Sequence, residues 1–180
     1  MSTPAIQQPV FLCGMMGAGK STVGQALATL ATLPFTDLDR EVETTAGKSI
    51  AEIFRDDGEP AFRTLESSLL LSLAESAAGV VALGGGALQN QHLVDHIKLQ
   101  GWLVFLNPPI DLLAKRLHHR KGRPLLQQSD RALRDILTEK MEQRLPFYQQ
   151  AHITVSADSG KPDETAQQIL KKIRTHEGNA

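Results

Sequence analysis

The stretch Val10-Phe11-Leu12-Cys13-Gly14-Met15-Met16-Gly17-Ala18-Gly19-Lys20-Ser21-Thr22 decides how the rest of the chain is read. Its first four residues are a continuous apolar run that stops at glycine, the pattern of a strand buried on both faces. The next eight match the phosphate-binding loop G-x-x-x-x-G-K-[ST]. Behind them Val23, Leu27 and Leu30 recur at helical spacing and predict a helix over 20–32. Glycines let successive backbone N–H groups turn toward a polyphosphate, and the positive end of the following helix adds to the attraction. Lys20 then reaches the β- and γ-phosphates as a point charge, and the Ser21 hydroxyl suits magnesium. Cys13 reads as an inert, buried small hydrophobe.

On both sides of this loop apolar, β-rich runs alternate with helical patterns, which predicts an α/β sheet with crossover helices. Phe35-Thr36-Asp37, Gly79 to Leu83, Trp102 to Leu106 and His152 to Val155 are the other expected strands. Ser49-Ile50-Ala51-Glu52 is a capping box that opens a short helix burying Ile50, Ile53 and Phe54. Asp57-Gly58 ends it, and Pro60 suits the first turn of a helix whose Phe62, Leu65, Leu69 and Leu73 share a face. Leu93 with Ile97, Leu113 with Leu117, and Leu133, Ile136, Leu137 and Met141 mark three more helices; Pro162 opens the last, with Ile169 and Ile173 inward. Disorder is expected in about the first eight residues, the last five and Gln127 to Ser129.

The 180 residues suit one domain, and 41% hydrophobic with 22% charged residues is ordinary globular usage. Lysine plus arginine (19) nearly balances aspartate plus glutamate (20), so broad nucleic-acid binding is not expected. One cysteine excludes an internal disulfide, and no apolar run approaches the length of a membrane span. The N-terminal residues lack the basic and apolar regions of a secretory signal, so the expected compartment is the cytoplasm.

Several other features stay open when read from residues alone. Asp37-Leu38-Asp39 sets two carboxylates on one side of an extended end; one could serve magnesium and the other accept a hydroxyl proton, or the pair could be a solvated turn or cap. Gly84-Gly85-Gly86 follows a buried strand at the sheet edge where α/β folds bind ligands, and serves either a close ligand approach or a tight turn. Arg63 fits a surface ion pair as well as a site, and Arg144 fits the capping of helix carbonyls. His118 to Pro124 is basic and glycine-hinged, as a lid or a solvated loop would be.

Taken together, residues 14–22, Asp37-x-Asp39, Gly58-Glu59 with Phe62-Arg63-x-x-Glu66, Leu83 to Gly86, Arg123-Pro124-Leu125-Leu126 and Arg144-x-Pro146-x-Tyr148 resemble the shikimate kinase family in order and spacing across about 9–150. The resemblance implies a P-loop, nucleoside-monophosphate-kinase-like three-layer fold: a five-stranded parallel sheet flanked by helices, with a mobile lid. It implies a single kinase domain over 1–180, with a substrate-binding region at about 37–66 and the lid at about 118–130. The implied reaction moves a phosphoryl group from ATP to the 3-hydroxyl of shikimate, in the route to aromatic amino acids, with Mg2+. Gly17, Ala18, Gly19, Lys20, Ser21 and Thr22 would hold ATP, with Arg116 beside adenine. Ser21 and Asp37 would serve the metal, and Asp39 would be the base. Arg63 and Arg144 would grip the shikimate carboxylate, Gly84, Gly85 and Gly86 would lie against the ring, and Arg123 would descend from the lid; Lys20, Asp39 and Arg123 form the catalytic set. Adenine would also meet a loop near 158–162. The implied partners are two small molecules, with no nucleic acid and no membrane, acting on a monomer. A gluconate kinase would share the loop but give no reason for Arg63, Gly84–Gly86 and Arg144, and a guanine-nucleotide switch would need an N-K-x-D segment that does not occur.

Overall fold

A computed structural model describes residues 6–118 and 130–178, so the expected lid with Arg123 and the segment 127–129 lie outside the described residues. Five strands, β1 (Val10–Cys13), β2 (Phe35–Asp37), β3 (Val80–Ala82), β4 (Trp102–Leu106) and β5 (Ile153–Val155), form one parallel sheet in the order β2-β3-β1-β4-β5. Parallel neighbours need crossovers, and helices supply them. These are α1 (Lys20–Ala31), α2 (Leu38–Ala46), α3 (Ile50–Asp56), α4 (Gly58–Ser76), α5 (Gln91–Gln100), α6 (Ile110–His118), α7 (Asp130–Tyr148) and α8 (Pro162–Glu177). The chain runs from β1 to β2 and β3 on one side and then to β4 and β5 on the other, so the sheet changes direction at β1. That is where open α/β sheets take ligands.

Register makes this useful. Leu12 pairs with Ala82 and Val104, and Ala82 pairs with Asp37. Strands β1, β2 and β3 therefore end level, and the residues just beyond them (14–21, 38–39 and 83–86) emerge side by side. Val10, Phe11 and Leu12 are fully buried, which fixes the level by packing. α1 and α8 pack against one another, as do α4 and α5. Ile6 is 6% exposed and belongs to the main core, so the expected N-terminal disorder does not extend to it, and α8 continues into the last five residues as far as Glu177.

The structure departs from the sequence reading mainly between 37 and 66. Asp37-Leu38-Asp39 is not an extended end: Asp37 closes β2 and caps α2, its Oδ1 accepting from the Asp39 N–H at 3.1 Å. Leu38 is pulled inward to full burial, which turns Asp39 out of the core. The Ser49–Glu52 capping box forms as expected. It buries Ile53, but Ile50 is half-buried and Phe54 is 39% exposed, because only a small satellite core of Val42, Ile53 and Phe62 lies beneath α3. On α4 the deepest line is Phe62, Glu66, Leu70 and Ala74, with Leu65, Leu69 and Leu73 flanking it.

Helix α7 carries Pro146 in its last turn and ends on Tyr148, whose ring packs on Phe105 at 5.0 Å and whose hydroxyl donates to the Gly85 carbonyl. Burial pushes the Tyr148 phenol well above its usual range, so it stays a donor. We predict that Tyr148→Phe lowers unfolding stability by about 0.5–1.5 kcal/mol, the net contribution of one hydrogen bond whose acceptor can still reach water. A shift of the urea midpoint at constant slope would show this, and an unmoved midpoint would mean that the bond does not hold α7 to the glycine turn.

Candidate active site

The phosphate loop leaves β1 with Gly14 at φ 137° and enters α1 with Gly19 at φ 95°, conformations that side chains rarely adopt. Lys20 lies beneath the loop. Its ammonium donates to the Gly14 and Met15 carbonyls at 2.8 and 2.9 Å, so it is turned onto its own loop rather than outward as a free charge. Burial pushes its pKa down to about 8, opposed chiefly by the negative charge of Asp39. The Ser21 hydroxyl donates to Asp37 Oδ2 at 2.5 Å while Asp37 Oδ1 caps α2. A hydroxyl and a carboxylate held together are hard oxygen donors of the kind Mg2+ takes alongside phosphate oxygens, so these residues fit that ion.

A cavity of about 700 Å³ opens above β1–β3. Its lining includes Gly17, Gly19, Lys20, Ser21 and Thr22 from the phosphate loop together with Asp37, Asp39, Arg63, Gly85, Gly86 and Arg144. Three neighbouring glycines allow this convergence. A Cβ built on Gly84 would lie 2.5 Å from Glu66 Oε1 and 2.9 Å from Asp39 Oδ1, and one on Gly86 would lie 2.8 Å from Arg63 Nη2. A Cβ on Gly85 would meet the Met16 N at 3.2 Å and Arg144 Nη1 at 3.5 Å. The run is thus a close-approach device with polar groups pressed against its backbone.

Arg63 is a cavity residue and not a plain surface ion pair. Its Nη1 donates to Glu66 Oε2 at 2.5 Å, and its guanidinium carbon lies 4.9 Å from the Phe62 ring centroid. Glu66 is 1% exposed; it also accepts from Gln89 Nε2 at 3.2 Å, and burial pushes its carboxyl up against the pull of Arg63. Arg144 caps no carbonyl that the structure records. It reaches Met15 Sδ at 3.7 Å and faces the cavity from α7. Ile50, Ala51, Phe54 and Phe62 form an apolar wall of the same cavity, with the two phenylalanine rings 4.8 Å apart and Arg63 over Phe62.

A second cavity of about 400 Å³ adjoins the loop, lined by Gly17, Ala18, Gly19, Thr22, Arg116, Ala157, Gly160, Lys161, Pro162 and Thr165. Arg116 joins its two halves: Nη1 donates to the Gly17 and Ala18 carbonyls at 3.3 Å each, and Nη2 to the Ala157 carbonyl at 3.1 Å. Sequence reasoning reached this loop only as a stretch near 158–162. Ala157 at φ 49° and Gly160 at φ 71° shape it, and an alanine gives no sign of a left-handed backbone. Phe54 is read from sequence as core, and Glu66 appears there only within the Phe62-Arg63-x-x-Glu66 pattern, without a role. The i,i+3 spacing of Arg63 and Glu66 on a helix was the available signal.

The arrangement gathers a phosphate loop, the Asp39 carboxylate and two arginines around one cavity. The family model described as shikimate kinase matches residues 16–174. A shikimate kinase of Chlorobaculum parvum is 40% identical over 173 residues, which cover 93% of this chain and 92% of that protein. Among solved structures, a shikimate kinase of Acinetobacter baumannii in complex with shikimate aligns with a TM-score of 0.86 at 37% identity, covering 94% of each chain. A gluconokinase of Sinorhizobium meliloti aligns with a TM-score of 0.62 at 21% identity over 98% and 97% of the two chains, a likeness of fold alone.

The buried Lys20 carries a pH signature. Phosphate contact favours its charged form and raises a pKa that starts near 8, so nucleotide binding near that pH draws a proton from the buffer. We predict uptake of about half a proton per ADP at pH about 8, read by calorimetry in two buffers of different protonation enthalpy. Lys20→Met removes the uptake. Proton release by the wild type, or uptake that survives in the variant, would contradict the assignment.

Proposed function

The chain belongs to the shikimate kinase family, and we propose how its residues perform the family's reaction, the transfer of a phosphoryl group from ATP to the 3-hydroxyl of shikimate. The products are shikimate 3-phosphate and ADP, on the way to the aromatic amino acids. One observation carries the residue-level reading: Lys20, Asp39, Arg63 and Arg144 line a single cavity together. ATP lies with its base in the cavity beside Arg116 and its phosphates along Gly17 to Thr22. Two arginines receive the carboxylate of shikimate, because a planar guanidinium matches a carboxylate with paired bonds. The apolar wall of Ile50, Phe54 and Phe62 takes a face of the ring, and Gly84, Gly85 and Gly86 let the ring approach the backbone.

With the acid fixed at one end, the ring hydroxyls lie toward Asp39. Its carboxylate accepts the hydrogen of the reacting hydroxyl, whose oxygen attacks the γ-phosphorus as the bond to the ADP oxygen breaks. Lys20 leaves the Gly14 and Met15 carbonyls for the phosphate oxygens and takes up the charge that builds there. Ser21 and Asp37 would hold Mg2+, which when bound would supply neutralising charge to the phosphates. Arg123 is assigned to the transferring group on the family resemblance alone. Positioning supplies most of the acceleration, since both partners enter one enclosure in line.

The domain reading of 1–180, with substrate-binding region 37–66, is retained; the satellite core of Val42, Ile53 and Phe62 supports it by giving that region packing of its own. The expected partners stay two small molecules, with the protein acting as a monomer. No helix among the described residues is long and apolar enough to cross a membrane, and dependence on ATP supports the cytoplasm as the place of action.

The test is ADP release from ATP with shikimate, with gluconate and with no acceptor. We expect turnover with shikimate alone, and Asp39→Asn should lower kcat by about 10²–10⁴-fold because an amide cannot accept the hydroxyl proton. Equal rates with gluconate, or an Asp39→Asn rate near wild type at saturating shikimate, would overturn the reading.

A further inference from the structure

Arg63 meets two carboxylates, and they differ in kind. Nη1 is bound to Glu66, which is buried and also tied to Gln89. Nε donates at 3.3 Å to Glu59 Oε1, one turn earlier on α4, and the Glu59 side chain is 62% exposed. Glu59 and Arg63 line a smaller cavity of about 230 Å³ together with Gly86, Gln89 and Arg144. Arg63 and Arg144 therefore stand between this cavity and the main one.

A guanidinium offers two edges that can donate two parallel bonds to one carboxylate: Nη1 with Nη2, and Nε with Nη2. Glu66 holds the first edge through a short bond from a buried site, and that bond is part of the frame. That leaves the second edge for any further acid, and Glu59 bonds its Nε. An exposed pair spaced i,i+4 is weak, so it is populated in the free protein yet readily displaced.

We propose that Glu59 is a built-in competitor for the carboxylate of the acceptor: it occupies the Nε edge of Arg63 in the free protein and is displaced as the acid binds. The idea rests on the reading above that Arg63 grips the acid. Glu59 then sets the affinity of the site. It keeps other small anions off Arg63, and it weakens the hold on shikimate by the fraction of time it is in place.

Titration calorimetry with shikimate and with its methyl ester, which lacks the charged carboxylate, tests this. Glu59→Gln should bind shikimate about two- to fivefold more tightly than wild type, the scale of a weak surface pair. Its affinity for the ester should stay as in wild type, and the gain should appear in KM for shikimate rather than in kcat. Glu59→Asp keeps the charge but falls short of Nε, and it should behave like the glutamine variant; it also serves if Glu59→Gln does not fold. Unchanged binding in both variants would overturn the proposal, and weaker binding would make Glu59 a support for Arg63 instead. Arg63→Lys is measured alongside: if it leaves shikimate binding intact, the carboxylate reading itself fails, and if it weakens binding while the Glu59 variants do not tighten it, only the competitor fails.

Discussion

At the carboxyl end of β3 the chain passes within contact of four other elements, and it does so through three residues that have no side chains. Asp39 from α2 and Glu66 from α4 press on Gly84; Arg63 from α4 presses on Gly86; the phosphate loop and Arg144 from α7 approach Gly85. Tyr148 fastens the same turn from the end of α7. A single Cβ at Gly84 would stand where two carboxylate oxygens now lie. Backbone at Gly85 and Gly86 forms part of the cavity wall, so Asp39, Arg63 and Arg144 share one space of molecular size.

That convergence gathers charge, and the charges are arranged to offset each other. Lys20 is desolvated, and the negative Asp39 works against the loss of its proton. Glu66 is desolvated, and Arg63 holds down the proton affinity that burial raises. Buried charges cost several kcal/mol unless paired, so each is stable only in the company of the next. The same pairing links Lys20 at the phosphate loop to Asp39 at the start of α2. A gluconokinase shares the fold, so the fold by itself does not name the acceptor.

Much of this was legible in the sequence because its signals are local. Strand β1 with its loop, the Ser49–Glu52 box and Pro162 at the start of α8 each announce themselves within a few residues. Helix α2 did not, although Leu38, Val42 and Ala46 recur at four-residue spacing: nine residues with a largely polar face make a weak pattern, and the Asp37 cap looked like the end of a strand. Phe54 was read as core because a capping box shows where a helix starts but not how much core lies under it. The adenine end was the hardest, since Ala157 takes a left-handed backbone and contributes its carbonyl, and neither fact has a residue-type signature.

We infer that Gly84 sets where Asp39 and Glu66 stand without touching the phosphate loop. The direct measurement is steady-state kinetics of Gly84→Ala together with its ADP affinity. Adding one methyl group forces Asp39 and Glu66 away from the turn. We predict a fall in kcat/KM for shikimate of at least about 10²-fold, the effect of roughly an ångström of misplacement, with ADP binding unchanged and the fold retained. A variant that keeps wild-type kcat/KM for shikimate, or one that loses ADP binding to the same degree, would contradict it.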